Sequence, residues 1–289
     1  MASRRRAEAL RERHAFAAEV LALYLALLDV WEEAWAAARA AAPAPDGPEA
    51  LAGWAAERVL PHVVRTTVAA GPEPLAKALV EIGDDDLRGA GRELLTAWLG
   101  GAELDPLERY LARAALRGPL EAVDRAAVCA RGSASEGDRR CPTCGGPPQL
   151  SFRTDTADRL VSGRRRLWCA RCAASWNYSS SMCPSCGESS GSKRTLYFEH
   201  PERHGESPRV GRGPDNAGDA DAAGGGADTA TFPHLRIESC TSCLRYLIDV
   251  DLGRDPRAVP EVDELAALPL DMYAAERGIS KITPNLMGF

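Results

Sequence analysis

The sequence predicts an α+β multidomain protein: an all-α N-terminal domain over residues 1–130, two tandem cysteine-knuckle modules, and a C-terminal helix and tail over 251–289. Three observations predict it. Apolar residues recur at steps of three and four through the first 128 residues, the period of a helix that buries one face. A polar stretch of small residues, RGSASEGDRR at 131–140, then acts as a linker. Beyond it, eight of the nine cysteines fall into four C-x-x-C pairs.

The first helical pattern covers 7–40, with Phe16, Val20, Leu23, Leu27, Trp31 and Trp35 on one stripe and Arg13, Glu19, Glu32, Glu33 and Arg39 off it. This reads as one long amphipathic helix. APAPDGPEA at 42–50 ends it, and Pro48 is placed to open the next, because proline cannot continue a helix but suits its first turn. Further helical patterns lie at about 49–69, 73–82, 85–99 and 106–128, with Asp105 and Glu108 spaced as a capping box for the last. The tryptophans and leucines of these stripes are expected to be core rather than a ligand site, since helical spacing accounts for them. After the linker come short β-like runs, QLSF, RRLW, RTLYF and HLRIES, among turn residues. They divide into a first module at 141–182 and a second at 183–250. The second is interrupted at 204–232 by a Gly/Asp/Ala tract with almost nothing to bury, which reads as a disordered insertion. Residues 261–278 read as a final helix closed by Gly278.

Composition narrows the function. A net charge of −6 provides no global basic field, which disfavours a protein held on nucleic acid by charge. The longest apolar run near the N-terminus, residues 20–28, is bounded by Glu19 and Asp29, far short of the roughly 20 residues of a spanning helix. SRRRAEAL at 3–10 lacks the apolar region and cleavage site of an export signal. A cytoplasmic location is therefore expected, and the cytosol keeps thiols reduced.

The four pairs are Cys141/Cys144, Cys169/Cys172, Cys183/Cys186 and Cys240/Cys243. Each C-x-x-C turn holds two thiolates on one side of a tight loop, and two such turns face to face give four sulfurs in a tetrahedron about 2.3 Å from a zinc ion. Gly145 and Gly187 follow two of the pairs, where a left-handed turn aims amides at the sulfurs. These are the knuckles of rubredoxin-like and zinc-ribbon modules. Pairing in chain order gives two tetrathiolate sites, Cys141, Cys144, Cys169 and Cys172 with 24 residues between the pairs, and Cys183, Cys186, Cys240 and Cys243 with 53. Cys129 is left over as a buried or idle thiol. Spacing leaves open whether the metal is iron or zinc.

Three competing readings are weaker. Cys183, Cys186, His200 and His204 approach a zinc finger of two cysteines and two histidines, but that strands Cys240 and Cys243. WCARC at 168–172 resembles a thioredoxin motif without its βαβ setting. Eight arginines against two aspartates between 139 and 172 make a basic patch, the basis of the alternative reading as a zinc-ribbon nucleic-acid-binding protein, but regular aromatic interleaving is missing. His14, His62 and His234 have no evident nucleophile partners and cysteine fills every metal position, so no enzyme is expected.

The motif order CPTCGGPPQLSF, GRRRLWCARCAASW, CPSCG, LYFE, LRIESCTSCLRYL, DELAALPLDMYAAERG and PNLMGF resembles the formate dehydrogenase accessory proteins of the FdhE family over residues 140–289. The serines of WNYSSSMC, the RYLI run and the long insertion depart from the family pattern. The resemblance implies a cytoplasmic, iron-binding maturation factor that binds the catalytic subunit of a respiratory formate dehydrogenase. The sequence is compatible with a homo-oligomer.

Overall fold

The computed structural model describes residues 1–41, 45–82, 84–129, 138–154, 163–200, 209–212 and 231–288. The chain forms two compact units, one of Met1–Pro147 with Cys169–Ala174 and Asn285–Gly288, the other of Pro148–Trp168 with Ser175–Pro284. The boundary runs through the first module of the sequence reading: its four cysteines fall in the first unit and most of its strand residues in the second. Most of the 131–140 linker lies outside the described residues.

The first unit is helical: α1 (Ala2–Arg13), α2 (Ala18–Ala40), α3 (Pro48–Arg58), α4 (Leu60–Ala70), α5 (Glu73–Ile82), α6 (Asp84–Gly100), α7 (Pro106–Ala122) and α8 (Arg125–Val128). Three expected single helices are each broken in two. The 7–40 helix is interrupted at His14, whose backbone is extended and followed by a 3-10 turn at Ala15–Ala17. The 49–69 helix breaks at Val59, where Pro61 starts the next one. Likewise the 106–128 pattern is α7 and α8 separated by an extended Val123. The expected cap of α7 is present: the Asp105 carboxylate accepts the amides of Leu107 and Glu108 at 2.9 Å, and Glu108 accepts the Asp105 amide at 3.2 Å.

Leu21, Leu23, Leu27, Leu51, Leu95, Leu99, Leu111 and Leu116 are fully buried in this unit. Trp31 lies among them and donates its indole N–H to the carbonyl of Ala114 at 2.8 Å, giving a large apolar ring a polar partner. Gly118 is needed beside it, because a Cβ there would lie 2.5 Å from the Trp31 carbonyl oxygen.

The second unit is built on an eight-stranded sheet: β1 (Pro148–Arg153), β2 (Arg165–Cys169), β3 (Ser175–Asn177), β4 (Arg194–His200), β5 (Arg209–Arg212), β6 (Leu235–Cys240), β7 (Arg245–Asp251) and β8 (Ser280–Lys281). The order is β3-β2-β1-β7-β6-β4-β5, with β8 paired to β7. β1 and β8 run parallel to β7, whereas β6 pairs antiparallel with both β7 and β4. β5 corrects the reading of 204–232 as wholly disordered: Arg209–Arg212 pairs antiparallel with β4, and 204–208 and 213–230 lie outside the described residues.

The expected C-terminal helix is split at Ala266–Ala267 into α9 (Pro260–Leu265) and α10 (Leu268–Glu276), and Gly278 closes it with a φ of +68°. Val262, Leu265 and Leu270 from these helices and Ile237, Leu247, Ile248 and Val250 from the strands are buried in this unit.

Candidate metal centres

Each C-x-x-C pair sits on the same turn. In the first, the Gly145 amide donates to the Cys141 carbonyl at 2.8 Å and the Cys141 amide to the Gly146 carbonyl at 2.9 Å. The second, third and fourth repeat the first of these bonds, from Ala173 to Cys169, Gly187 to Cys183 and Leu244 to Cys240, at 2.9–3.1 Å. The residue after each second cysteine is left-handed: Gly145 at +68°, Ala173 at +57°, Gly187 at +81° and Leu244 at +55°. Two knuckles therefore use the glycine suited to this conformation and two carry a side chain through it.

The turns bring the eight cysteines into two sets of four, Cys141, Cys144, Cys169 and Cys172, and Cys183, Cys186, Cys240 and Cys243. Within each set all sulfurs lie within 4.8 Å of one another. These are the sets that chain-order pairing predicts; the side chains of His200 and His204 lie outside the described residues.

The donor sets fit a tetrahedrally bound metal. Bonds of about 2.3 Å place the sulfurs of a regular tetrahedron about 3.8 Å apart. The Sγ–Sγ distances are 3.7 Å for Cys141–Cys172, 3.4 Å for Cys144–Cys169, 3.9 Å for Cys183–Cys243 and 3.8 Å for Cys186–Cys240. Backbone amides point at the sulfurs: Gly146 to Cys144 at 3.4 Å, Arg171 and Cys172 to Cys169 at 3.3 and 3.5 Å. A Cβ on Gly146 would lie 2.8 Å from the Cys169 sulfur, so the chain passes too close for any other residue.

Without a cation, the thiols of each set compete for protons. Cys141 is pushed down by hydrogen bonds from Cys144, Cys169 and Cys172, while contacts with Cys141 and Cys144 push Cys172 up. Burial pushes Cys169 up. In the second set burial raises Cys183 to about 12 and raises Cys243. Burial also acts upward on Cys240, but the amides of Cys243 and Ser242 outweigh it and hold that thiol low. Sulfurs this close cannot all ionise unless a cation takes up their charge.

The ninth cysteine, Cys129, lies outside both sets of four. It is buried just after α8, and contact with its thiol is the main reason Cys144 is pushed up to about 12. Arg171 seats the second knuckle in this unit, donating to the Cys144 carbonyl at 2.8 Å and lying 5.7 Å from the Trp98 ring centre.

Three described arginines of the basic patch, Arg153, Arg165 and Arg166, are engaged by partners within the second unit. Arg153 and Arg165 reach Glu238 at 2.9 and 2.5 Å, Arg153 also reaches Asp249 at 3.1 Å, and Arg166 bonds the Ser175 carbonyl at 3.0 Å. These guanidiniums are not a free phosphate-gripping face. Among the described residues no helix is long and apolar enough to cross a membrane.

A helical unit and a sheet unit, each holding a four-cysteine knuckle set able to hold a metal ion, define an α+β protein of the double-knuckle class. Residues 222–287 match the family model described as FdhE, C-terminal domain. The chain is 27% identical over 149 residues to a Protein FdhE homolog of Aquifex aeolicus, covering 52% of this chain and 41% of the relative. It is 30% identical over 220 residues to a Protein FdhE homolog of Pseudomonas putida, covering 75% of this chain and 59% of that one. The match thus spans less than two thirds of the length of these curated relatives. The crystal structure of the FdhE protein from Pseudomonas aeruginosa superposes with a TM-score of 0.54 at 25% identity, covering 99% of this chain and 94% of that chain. Residues 222–287 are thus similar to the C-terminal domain of the FdhE proteins, and the resemblance read from the motifs is borne out.

Proposed function

We propose that this protein is a non-catalytic, metal-binding accessory factor that binds the catalytic subunit of a respiratory formate dehydrogenase in the cytoplasm and is needed for its maturation. The observation that carries this reading is the pair of four-cysteine sets in a chain whose C-terminal region is of the FdhE type. Cys141, Cys144, Cys169 and Cys172 would hold one metal, and Cys183, Cys186, Cys240 and Cys243 the other. Iron in such a set supplies one-electron chemistry, whereas zinc supplies shape alone. With four thiolates the coordination is closed, which supports a role other than hydrolysis.

The test is deletion of the gene in its host, with formate dehydrogenase activity measured beside an immunoblot of the catalytic subunit. The expected result is lost activity with the subunit still present, restored by the wild-type gene and not by a Cys169→Ser gene. Unchanged activity would overturn the assignment of the client. Protein purified without oxygen identifies the metal: a ferric tetrathiolate spectrum marks iron, and stoichiometric zinc without iron removes a redox role.

A further inference from the structure

The second four-cysteine set is assembled from two distant pieces of chain, and a buried carboxylate that is not a ligand ties them together. Cys183 follows the run Ser179–Met182, and Cys240 ends β6, with Glu238 two residues before it. The Glu238 side chain is 3% exposed and meets Arg153 at 2.9 Å, Arg165 at 2.5 Å and Arg194 at 2.7 Å. Two of these guanidiniums grip with a second edge. Arg165, wholly buried, donates to the carbonyls of Ser179 at 3.2 Å and Met182 at 3.1 Å. Arg194 donates to the carbonyl of Ser180. Arg165 also lies 5.7 Å from the ring centre of Tyr178, whose hydroxyl donates to the carbonyl of Cys183 itself at 3.1 Å.

Every carbonyl held this way belongs to the approach to the third knuckle or to its first cysteine. The carboxylate belongs to the strand that delivers Cys240, the first cysteine of the fourth. A guanidinium suits the task because its planar fork serves an anion on one edge and carbonyls on the other, which an ammonium cannot do from one position. Asp249 provides an internal contrast. It is fully buried and holds Arg153 and Arg236 at 3.1 and 2.5 Å, yet among the described residues neither of those arginines bonds the Ser179–Met182 run.

We infer that Glu238 is a positioning residue for the second metal centre, acting through Arg165 and Arg194 to hold the Cys183/Cys186 knuckle at tetrahedral distance from Cys240 and Cys243. The inference rests on the metal-binding part of the proposed function and is independent of the client. Groups that orient metal ligands from behind commonly change affinity by about 10–100-fold.

The experiment loads the full-length protein with cobalt, whose tetrathiolate absorption reports coordination, and follows its release to a chelator. Cys186→Ser identifies the phase that belongs to the second centre. Arg165→Lys and Arg194→Gln break the carbonyl ties while keeping the ligands, and Asp249→Asn perturbs the same buried network without touching those ties. The expected result is release from the second centre accelerated about 10–100-fold in the two arginine variants, with the first centre unchanged. In Asp249→Asn, compared where its melting temperature matches the arginine variants, release from the second centre stays close to wild type. Unaltered release in the arginine variants, or equal acceleration in Asp249→Asn, would overturn the inference while leaving metal binding intact. A wild-type protein that takes up no cobalt would overturn the metal reading and this inference with it.

Discussion

In the first centre all four cysteines are buried, amides from Gly146, Arg171 and Cys172 close on the sulfurs, and a fifth thiol, Cys129, stands beside Cys144. In the second, Cys186 is exposed and Cys243 half-buried, and the knuckles are steadied by a carboxylate–arginine network rather than by burial of the sulfurs. The same ligand set on the same turn thus sits in two environments. Exposure governs how readily a competing ligand reaches a metal, so the centres should differ in kinetic stability more than in geometry.

The most severe break in that comparison is the loss of a ligand. Cys169→Ser should lower bound metal from two per chain to one and destabilise the first unit, because a structural metal in a tetrathiolate contributes on the order of 10 kcal/mol. Cys186→Ser should remove the other metal and leave the melting of the helical first unit intact. Metal analysis and circular dichroism of the two variants check this, and equal loss of helical signal in both would contradict it.

Chelator challenge of the unmodified protein separates the centres next. The second should release its metal at least about tenfold faster than the first, given the range by which surrounding groups tune a site. A single release phase carrying both metals would show that the difference in burial has no kinetic consequence.

Two glycines sharpen the contrast at smaller cost. Gly146→Ala forces a methyl to within 2.8 Å of the Cys169 sulfur and should cost about 1–3 kcal/mol, as overpacking does, with faster release from the first centre alone. Gly187→Ala places a side chain at a φ of +81° and should cost about 1–2 kcal/mol, felt at the second centre alone. Thermal melts and metal release of both variants test the assignment.

The buried network gives a pH signature. Burial acts to raise the Asp249 carboxyl, but Arg236, Arg153 and Arg165 outweigh it and hold it below the ordinary carboxylate range. A group depressed in the folded state stabilises fully above its unfolded pKa of about 3.9 and loses that contribution as pH falls through the folded value. The difference in melting temperature between wild type and Asp249→Asn should therefore be constant above about pH 5 and shrink below about pH 4. A difference that grows in acid would contradict the assignment.

The smallest effect is expected at Leu244, which adopts a φ of +55°. Leu244→Gly relieves left-handed strain but adds freedom to the unfolded chain, two terms of about 1 kcal/mol that nearly cancel. A melt shifted by less than a few degrees would agree.

The knuckles are legible in the sequence because so short a turn contains its own requirements: the cysteine spacing, the residue that turns left-handed and the amides that follow. The helical stripes are legible for the same reason, but their breaks at His14 and Val59 are not, since apolar periodicity continues across both. β7 escapes a reading by pattern because five consecutive residues, Tyr246–Val250, are buried on both faces, so the alternation that marks a half-exposed strand is absent. β5 is four residues long inside a tract whose composition reads as unstructured. The arginines after residue 139 look like a surface because a local count of charge leaves out their partners: Glu238 and Asp249 are 85 and 96 residues from Arg153.

The sequence by itself determined the helical and β-rich halves, the paired cysteines and their grouping into two sets of four, and the FdhE resemblance, all of which depend on spacing within a motif or on the order of motifs. Only the tertiary structure decided that one set is buried and the other partly exposed, and that Glu238 and Asp249 pair with Arg153, Arg165, Arg194 and Arg236. Burial and ion pairing depend on everything that surrounds an atom, and those surroundings come from residues far apart in the chain.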